Sequence, residues 1–160
     1  IGGMIMIENK IIKLKVKNLK DSKEVLSSLS DCLIEEKIVK SSFKNAVLER
    51  ENSYPTGLQF DGYGIALPHT DSEHVIKSQI AIMTLEKPVK FIEMASTDKE
   101  IDVKTIFMLA LKDSNQHIKI LQKVMELLQD KEAMSKIESF DDSKEDVENL
   151  IELLEKHELN

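Results

Sequence analysis

Apolar residues recur along the chain with two different periods, and these periods separate the predicted strands from the predicted helices. Residues 11–17 alternate apolar and basic side chains with a period of two, which predicts a half-exposed strand at the edge of a sheet. A helix capped by Asp21 or Ser22 follows, because the next apolar positions recur at intervals of three and four residues. These positions are Val25, Leu26, Leu29, Leu33 and Ile34.

The pattern then changes from a second helix to a segment rich in turn-forming residues. The second helix begins at Ser41 or Ser42 and must end before a Tyr-Pro pair, because the residue preceding a proline is disfavoured in the helical region. Residues 54–68 hold three of the five glycines and two of the three prolines, which is typical of loops and turns. Within that loop, residues 65–67 are predicted as a short buried strand that places His69 at its carboxyl end.

Three further strands are predicted before the chain becomes helical again. Residues 76–85 form one strand, and residues 89–91 form a short one after a turn at Lys87-Pro88. Residues 103–111 are apolar over a long run, which indicates a strand near the centre of the sheet.

The last part of the chain is predicted to be entirely helical. Ser114 or Asn115 caps the first of three helices, residues 133–137 form a short one, and residues 143–154 form the last. The predicted order is therefore β-α-α-β-β-β-β-α-α-α. This order indicates an α/β (α+β) fold in which a mixed sheet lies between helices on both faces. The pattern does not give the order of the strands in the sheet.

The length and the start of the chain define the expected domain. A chain of 160 residues corresponds to one domain that is large enough to bury a core. Residues 1–3 precede Met4 and are interpreted as a remnant of an expression vector. We therefore expect a single domain over residues 4–160.

Charge and cysteine content restrict the partners and the compartment. Lys and Arg number 22 against 29 Asp and Glu, and the resulting net charge of -7 argues against binding to nucleic acid or to anionic lipid. No apolar run is long enough to span a membrane, so direct insertion is not expected. Cys32 is the only cysteine, and no leader peptide is recognised, which favours a reducing cytoplasm.

The four histidines are the side chains whose unperturbed pKa lies closest to neutrality. His69 lies at the carboxyl end of a predicted strand, where ligand sites of α/β proteins collect, although position alone leaves a structural role equally open. His117 lies in the first turn of a helix, where backbone N–H groups favour an anion, but a cap or surface role is the commoner one. His74 and His157 are interpreted as surface residues.

Other chemistries receive weaker support from the sequence. Arg50 beside the glycine-rich segment suits bidentate contact with a phosphate, and an ion pair with Glu49 or Glu51 is an equally good explanation. The residues His69, Asp71 and His74 are too few to indicate a metal site. No nucleophile elbow and no phosphate-binding loop are found, so we expect neither a metal nor a cofactor.

Several motifs in a fixed order carry a resemblance to a known family. The chain closely resembles the IIA components of the bacterial phosphoenolpyruvate-dependent sugar phosphotransferase system, of the fructose/mannitol superfamily and most of all the galactitol type. The resemblance extends from about residue 11 to residue 154. The motifs that carry it are Glu49-Arg50-Glu51, Tyr54-Pro55-Thr56-Gly57-Leu58, Gly64-Ile65-Ala66-Leu67-Pro68-His69-Thr70-Asp71 and Asn115-Gln116-His117-Ile118.

The resemblance implies a function for the three candidate site residues. His69 would accept a phosphoryl group from the phosphocarrier protein HPr and pass it to a cysteine of the cognate IIB component, which serves the IIC membrane transporter. His117 matches the second active-site histidine of the family, and Arg50 matches the arginine that neutralises charge near the phosphoryl group. The apolar side chains of Tyr63, Leu67 and Ile118 are expected to form a docking surface around the site.

Two other functions remain open at the level of sequence. One is a nitrogen-type IIA protein that carries the same histidine but acts by binding target proteins. The other is a IIA module of a transcription regulator, in which phosphorylation controls activity without sugar uptake. The sequence does not identify the sugar, because selection lies mainly in the membrane component.

Overall fold

The computed structural model describes residues 11–159, apart from the side chains of residues 114 and 116, and shows five strands and five α-helices. The strands are β1 (Ile12–Val16), β2 (Gly57–Phe60), β3 (Tyr63–Ala66), β4 (Gln79–Ile92) and β5 (Glu100–Ala110). The helices are α1 (Ser22–Glu35), α2 (Phe43–Ser53), α3 (Ser114–Leu128), α4 (Lys131–Ser139) and α5 (Lys144–Lys156).

The strands form one mixed sheet in the order β1-β4-β5-β3-β2. Strand β1 lies at an edge and β5 lies at the centre, as the sequence predicted. Strand β1 runs parallel to β4, and β3 runs parallel to β5, whereas the β4–β5 and β2–β3 pairs are antiparallel. The carboxyl ends of β3 and β5 therefore lie at the same edge of the sheet.

Helices cover both faces of this sheet and produce two separate cores. Strand β5 shows the division, because Ile106, Met108 and Ala110 pack towards α1 and α2 while Phe107 and Leu109 pack towards α3, α4 and α5. This alternation is the two-residue period of a strand that is buried on both faces. The predicted mixed sheet between two helical layers is confirmed.

The segment that the sequence analysis assigned to loop contains a β-hairpin. Strands β2 and β3 pair from Gly57 with Ala66 to Phe60 with Tyr63, and only Asp61 and Gly62 connect them. Gly62 adopts a φ of 90°, which favours glycine in such a two-residue turn. The prediction of a single short strand at residues 65–67 was therefore wrong in extent, because the glycines here belong to a tight hairpin.

A second correction concerns the predicted turn at Lys87-Pro88. Strand β4 continues through both residues, and its pairing with β5 shifts register between Thr84 and Val89. A proline is tolerated at such an irregularity because no ladder hydrogen bond is lost there. The predicted number of strands is nevertheless correct. The sequence analysis missed β2 but divided β4 into two strands, and these two errors cancel.

The helix caps agree with the sequence analysis in most places. The side chain of Asp21 caps α1, Ser42 precedes α2, and Ser143 caps α5. Helix α3 is capped one residue before the predicted positions, because the Asp113 carboxylate accepts a hydrogen bond from the backbone N–H of Asn115.

Candidate active site

His69 follows β3 at the carboxyl edge of the sheet, where it continues alongside β5. An isolated parallel bridge pairs His69 with Leu109, and the Leu109 N–H donates to the Pro68 carbonyl at 3.0 Å. The register places the His69 side chain on the same face as Leu109, towards the α3 layer. The sequence prediction of a histidine delivered by a strand end is confirmed.

A single hydrogen bond defines the tautomer of His69. Its Nδ1 lies 2.8 Å from the carbonyl oxygen of Leu67. A carbonyl oxygen only accepts, so Nδ1 carries the proton in this contact. In the neutral imidazole the lone pair then resides on Nε2, which makes Nε2 the nucleophilic atom of the ring.

The surroundings of His69 hold its pKa below the ordinary value of 6.5. Burial is the largest cause, because the charged imidazolium loses hydration. The hydrogen bond to Leu67 and the Asp71 carboxylate oppose this shift, whereas the positive charges of Arg50 and His117 add to it. Arg50 and His117 therefore both act electrostatically on His69, and a pKa below 6.5 favours the neutral imidazole at pH 7.

Arg50 lies in the last turn of α2, a helix that ends at Ser53 because Pro55 follows. Its Nη1 atom lies 3.9 Å from the Asp71 carboxylate, and its guanidinium carbon lies 5.3 Å from the centre of the Tyr54 ring. Its Nε atom is buried without a hydrogen-bond partner among residues 11–159. The guanidinium therefore keeps donor capacity beside His69.

His117 occupies the first turn of α3 on the other side of the site. Its Nε2 atom lies 3.4 Å from the carbonyl of Leu111, a long contact in which Nε2 must be the donor. This contact ties the ring to the residue that follows β5. As an imidazolium, His117 can also donate a hydrogen bond from Nδ1 to an anion beside His69.

Glu51, which the sequence analysis considered only as a partner of Arg50, binds Thr56 instead. Its two carboxylate oxygens accept from the Thr56 N–H at 2.8 Å and from the Thr56 hydroxyl at 2.9 Å. Burial raises the pKa of Glu51, and the two bonds from Thr56 partly offset that rise. No sequence motif signals this contact, because it depends on where α2 ends beside the β2–β3 hairpin.

The exposed apolar residues near the site differ from the predicted docking surface. Ile118 is 70% exposed beside His117, as predicted, but Leu67 is only 3% exposed. Tyr63 is half-buried, and its hydroxyl donates to the Leu128 carbonyl. The second large exposed apolar side chain at the site is Tyr54, at 66%, which lies against Arg50.

The two remaining histidines have structural contacts rather than free surface positions. The His74 Nδ1 lies 2.8 Å from the Ser42 hydroxyl at the start of α2. His157 caps α5 through the Leu153 carbonyl and lies 3.4 Å from the Asp130 carboxylate. The His157 side chain is 29% exposed, so these contacts hold a surface residue at the end of α5.

Two features are absent from residues 11–159. Within this range, no three His, Cys, Asp or Glu side chains are arranged to hold a metal ion. None of the helices described has the length and the apolar composition needed to cross a bilayer.

The fold and the histidine site define the class of this protein as a IIA-type domain of a sugar phosphotransferase system. The chain belongs to the family described as "Phosphoenolpyruvate-dependent sugar phosphotransferase system, EIIA 2", whose pattern it matches over residues 5–155. The family membership confirms the resemblance inferred from the motifs.

One relative and three solved structures illustrate the similarity. The galactitol-specific EIIA component of Escherichia coli (strain K12) is 26% identical over 102 residues, which cover 64% of this chain and 67% of that protein. A Streptococcus mutans protein provisionally described as a PTS IIA (PtxA) has a TM-score of 0.73 at 27% identity, covering 91% of this chain and 88% of that chain.

Two more distant structures share the fold alone. IIA mannitol of Escherichia coli, solved in complex with phosphorylated IIB mannitol, has a TM-score of 0.70 at 21% identity, covering 92% of this chain and 99% of that one. The nitrogen regulatory protein IIA-Ntr of Neisseria meningitidis has a TM-score of 0.72 at 20% identity, covering 92% of this chain and 95% of that one. A IIA mannitol protein and a nitrogen regulatory protein therefore share this architecture.

Proposed function

We propose that this chain is the IIA phosphocarrier of a cytoplasmic sugar phosphotransfer relay, and that His69 carries the phosphoryl group. The group arrives from phospho-HPr and leaves to a cysteine of a cognate IIB component. The observation that carries this proposal is the bond from His69 Nδ1 to the Leu67 carbonyl, which leaves the Nε2 lone pair available. The lowered pKa of His69 supports it, because a neutral imidazole is the nucleophilic form.

The transfer itself consists of two in-line displacements at phosphorus. In the first, the Nε2 lone pair of His69 forms a bond to phosphorus while the bond to the phosphohistidine nitrogen of HPr breaks, and that nitrogen keeps the electron pair. In the second, a thiolate of IIB attacks phosphorus and His69 Nε2 recovers its lone pair. Nδ1 keeps its proton throughout, and this N–H stays hydrogen-bonded to the Leu67 carbonyl.

Arg50 and His117 stabilise the charge on the transferring group from opposite sides of His69. The guanidinium of Arg50 donates to equatorial phosphoryl oxygens, for which its unpartnered Nε and its nearby Nη1 provide N–H groups. His117, when both ring nitrogens carry a proton, donates to the group from Nδ1. Positioning and charge stabilisation of this kind suffice for phosphoryl transfer.

Tyr54 and Ile118 form the apolar surface on which HPr and IIB dock. Both side chains are more than half exposed; Tyr54 caps the C-terminus of α2, which contains Arg50, and Ile118 follows His117 in α3. Exposed apolar residues beside a reactive group are typical of a transient protein interface. The complex of IIA mannitol with phosphorylated IIB mannitol supports a IIB partner for this chain.

The substrate of the pathway is proposed to be a sugar or sugar alcohol of the galactitol type. This assignment depends on the similarity to a galactitol-specific EIIA component. Transfer to a galactitol-type IIB protein tests it directly.

The test of the phosphocarrier function is a phosphorylation assay read by intact mass. The protein is incubated with phosphoenolpyruvate, Enzyme I and HPr, and it should gain one acid-labile phosphoryl group. His69→Ala should abolish this gain, whereas His74→Gln, a control at a histidine that binds Ser42, should retain it. The absence of any gain with a competent HPr would refute the proposal.

A second stage separates transport from regulation. Phosphorylated protein is mixed with a galactitol-type IIB component, and the phosphoryl group should move to the IIB cysteine. His117→Ala should retain the group or pass it on slowly, because one donor to the transferring group is lost. Phosphorylation without transfer to any IIB component would favour the regulatory function instead.

A further inference from the structure

The β2–β3 ladder loses its regular bonding immediately before His69. The register pairs Gly57 with Ala66, so Thr56 lies opposite Leu67, and the Leu67 N–H donates to the Thr56 carbonyl at 3.3 Å. In a regular hydrogen-bonded pair, the Thr56 N–H would donate to the Leu67 carbonyl in return. It donates instead to Glu51 Oε2 at 2.8 Å, and the Leu67 carbonyl accepts from His69 Nδ1.

The carboxylate of Glu51 competes well for this donor. A hydrogen bond to an ionised acceptor is about twice as strong as one to a neutral carbonyl. Glu51 also accepts from the Thr56 hydroxyl, so the two contacts hold the carboxylate in one orientation. Thr56 is 3% exposed, so its N–H has little access to bulk water.

The same threonine anchors the strand on which His69 depends. The Leu67 N–H also lies 3.2 Å from the Thr56 hydroxyl oxygen, which can accept because its proton goes to Glu51. Pro68 has no N–H, so Leu67 is the last residue before His69 that can donate to β2. Glu51 and Thr56 therefore hold Leu67 at the point where its carbonyl meets the imidazole.

We propose that Glu51 is a positioning residue that sets the tautomer of His69 by drawing the Thr56 N–H out of the sheet ladder. The freed Leu67 carbonyl then accepts from Nδ1, and the lone pair stays on Nε2. This inference rests on the proposed function only in naming Nε2 as the acceptor of the phosphoryl group. Adjacent residues of α2 thus have separate tasks, because Arg50 contacts the transferring group and Glu51 prepares the nucleophile.

The test measures the tautomer directly, without any phosphorylation. Two-bond ¹H–¹⁵N correlation spectra of the histidine rings at pH 8 distinguish the two neutral forms. Wild-type His69 should be protonated mainly on Nδ1. In Glu51→Met, the Thr56 N–H should return to the Leu67 carbonyl, and this second donor should weaken the bond from His69 and lower the population of the Nδ1–H form.

Two further variants separate geometry from charge. Glu51→Gln keeps an oxygen that can accept from the Thr56 N–H, so it should preserve the Nδ1–H form. Glu49→Gln removes an exposed charge from the same helix and should change nothing. An unchanged tautomer in a folded Glu51→Met protein would overturn the proposal.

A measurement on the unmodified protein keeps the inference testable if Glu51→Met does not fold. Scalar coupling across the hydrogen bond should connect the Thr56 amide nitrogen with the side-chain carboxyl carbon of Glu51. Coupling to the Leu67 carbonyl carbon instead would refute the diversion of the ladder. The phosphorylation assay is independent of both readouts, so a protein that shows the tautomer effect but accepts no phosphoryl group contradicts only the proposed function.

Discussion

The two ends of strand β3 use their backbone groups in different ways. At the amino end, Phe60 and Tyr63 close a regular two-residue hairpin, and their rings stack with centroids 5.2 Å apart. The Gln59 side chain donates to the carbonyls of both residues, at 2.8 and 3.1 Å. These contacts stabilise the hairpin, and the Tyr63 hydroxyl ties it to the Leu128 carbonyl at the end of α3.

At the carboxyl end, the backbone groups that would continue the β2–β3 ladder bind side chains instead. The Thr56 N–H goes to Glu51, the Leu67 carbonyl goes to His69, and Pro68 offers no donor. The comparison shows how the imidazole is held here: the Leu67 carbonyl, which takes no hydrogen bond from the Thr56 N–H, accepts one from His69 Nδ1. Changes at the two ends should therefore affect different properties of the protein.

The largest expected effect comes from Gly64, which lies between the two ends. A Cβ at this position would lie 2.1 Å from the backbone carbonyl oxygen of Asp102, and backbone atoms cannot move aside easily. Gly64→Ala should lower the free energy of unfolding by about 3 kcal/mol, measured by urea denaturation. Gly62→Ala serves as the milder control, because its Cβ would meet only the flexible Lys131 side chain and its cost is a positive φ. Equal stability of Gly64→Ala and wild type would contradict the close approach of β3 and β5.

The second effect concerns the carboxyl end alone. Arg50→Ala should slow phosphoryl transfer by about 10- to 150-fold, which corresponds to about 1.5–3 kcal/mol for one lost charge-assisted contact. Rapid-quench measurement of acceptance from phospho-HPr gives the rate. Thermal unfolding should change little, since the Arg50–Asp71 pair is partly exposed. If Arg50→Ala lost much stability but accepted the phosphoryl group at the wild-type rate, the contacts at the carboxyl end of β3 would serve structure and not transfer.

The third effect concerns the amino end alone. Tyr63→Phe removes the donor to the Leu128 carbonyl and should cost about 0.5–1.5 kcal/mol of unfolding free energy. Phosphoryl acceptance by His69 should keep the wild-type rate. A slower rate in this variant would show that the two ends of β3 are coupled.

The smallest effect is on the titration of His69. Its ring resonances should titrate with a midpoint below pH 6.5, and Arg50→Ala should raise that midpoint because a neighbouring positive charge is lost. The unfolded chain binds this proton more tightly, so the stabilisation is complete above pH 6.5 and is lost as pH falls through the folded pKa. A midpoint at or above 6.5 would contradict the burial of the imidazole.

Several parts of the fold were predictable because local patterns carry them. The alternation in residues 11–17 identified the edge strand, and the apolar run in residues 103–111 identified the central strand. Capping residues located the starts of α1 and α5 to within a residue. These features depend on periodicity and on hydrogen bonds between near neighbours, which a sequence displays directly.

The hairpin and the long β4 strand were not predicted, since turn-forming residues occur in both. Gly57, Gly62 and Gly64 suggested a loop, but two of them permit close backbone contact within the sheet. Pro88 suggested a turn, but the shift in register accommodates it in an exposed part of β4. Whether a glycine or a proline ends a strand depends on the neighbouring strand, which local pattern does not reveal.

The residues of the candidate site also divide into those that the sequence indicated and those whose contacts it did not reveal. The motifs alone indicated His69, His117 and Arg50, because the residue types suit an anion and the order of the motifs matches a family. By contrast, the contacts of Glu51 and Tyr54 appeared only when α2 ended beside the β2–β3 hairpin. Glu51 and Tyr54 contact residues that are close to them in sequence. The orientation of these side chains depends on the position of the β2–β3 hairpin relative to α2.

The sequence by itself determined the class of fold, the helical faces, the family and the three side chains expected at the site. The tertiary structure decided the strand order, the tautomer of His69 and the contacts of Glu51 with Thr56. The physical reason is the range of the interactions involved. Amphipathic periods and caps act within a few residues, whereas the state of the imidazole depends on which backbone carbonyl the folded sheet leaves unpaired.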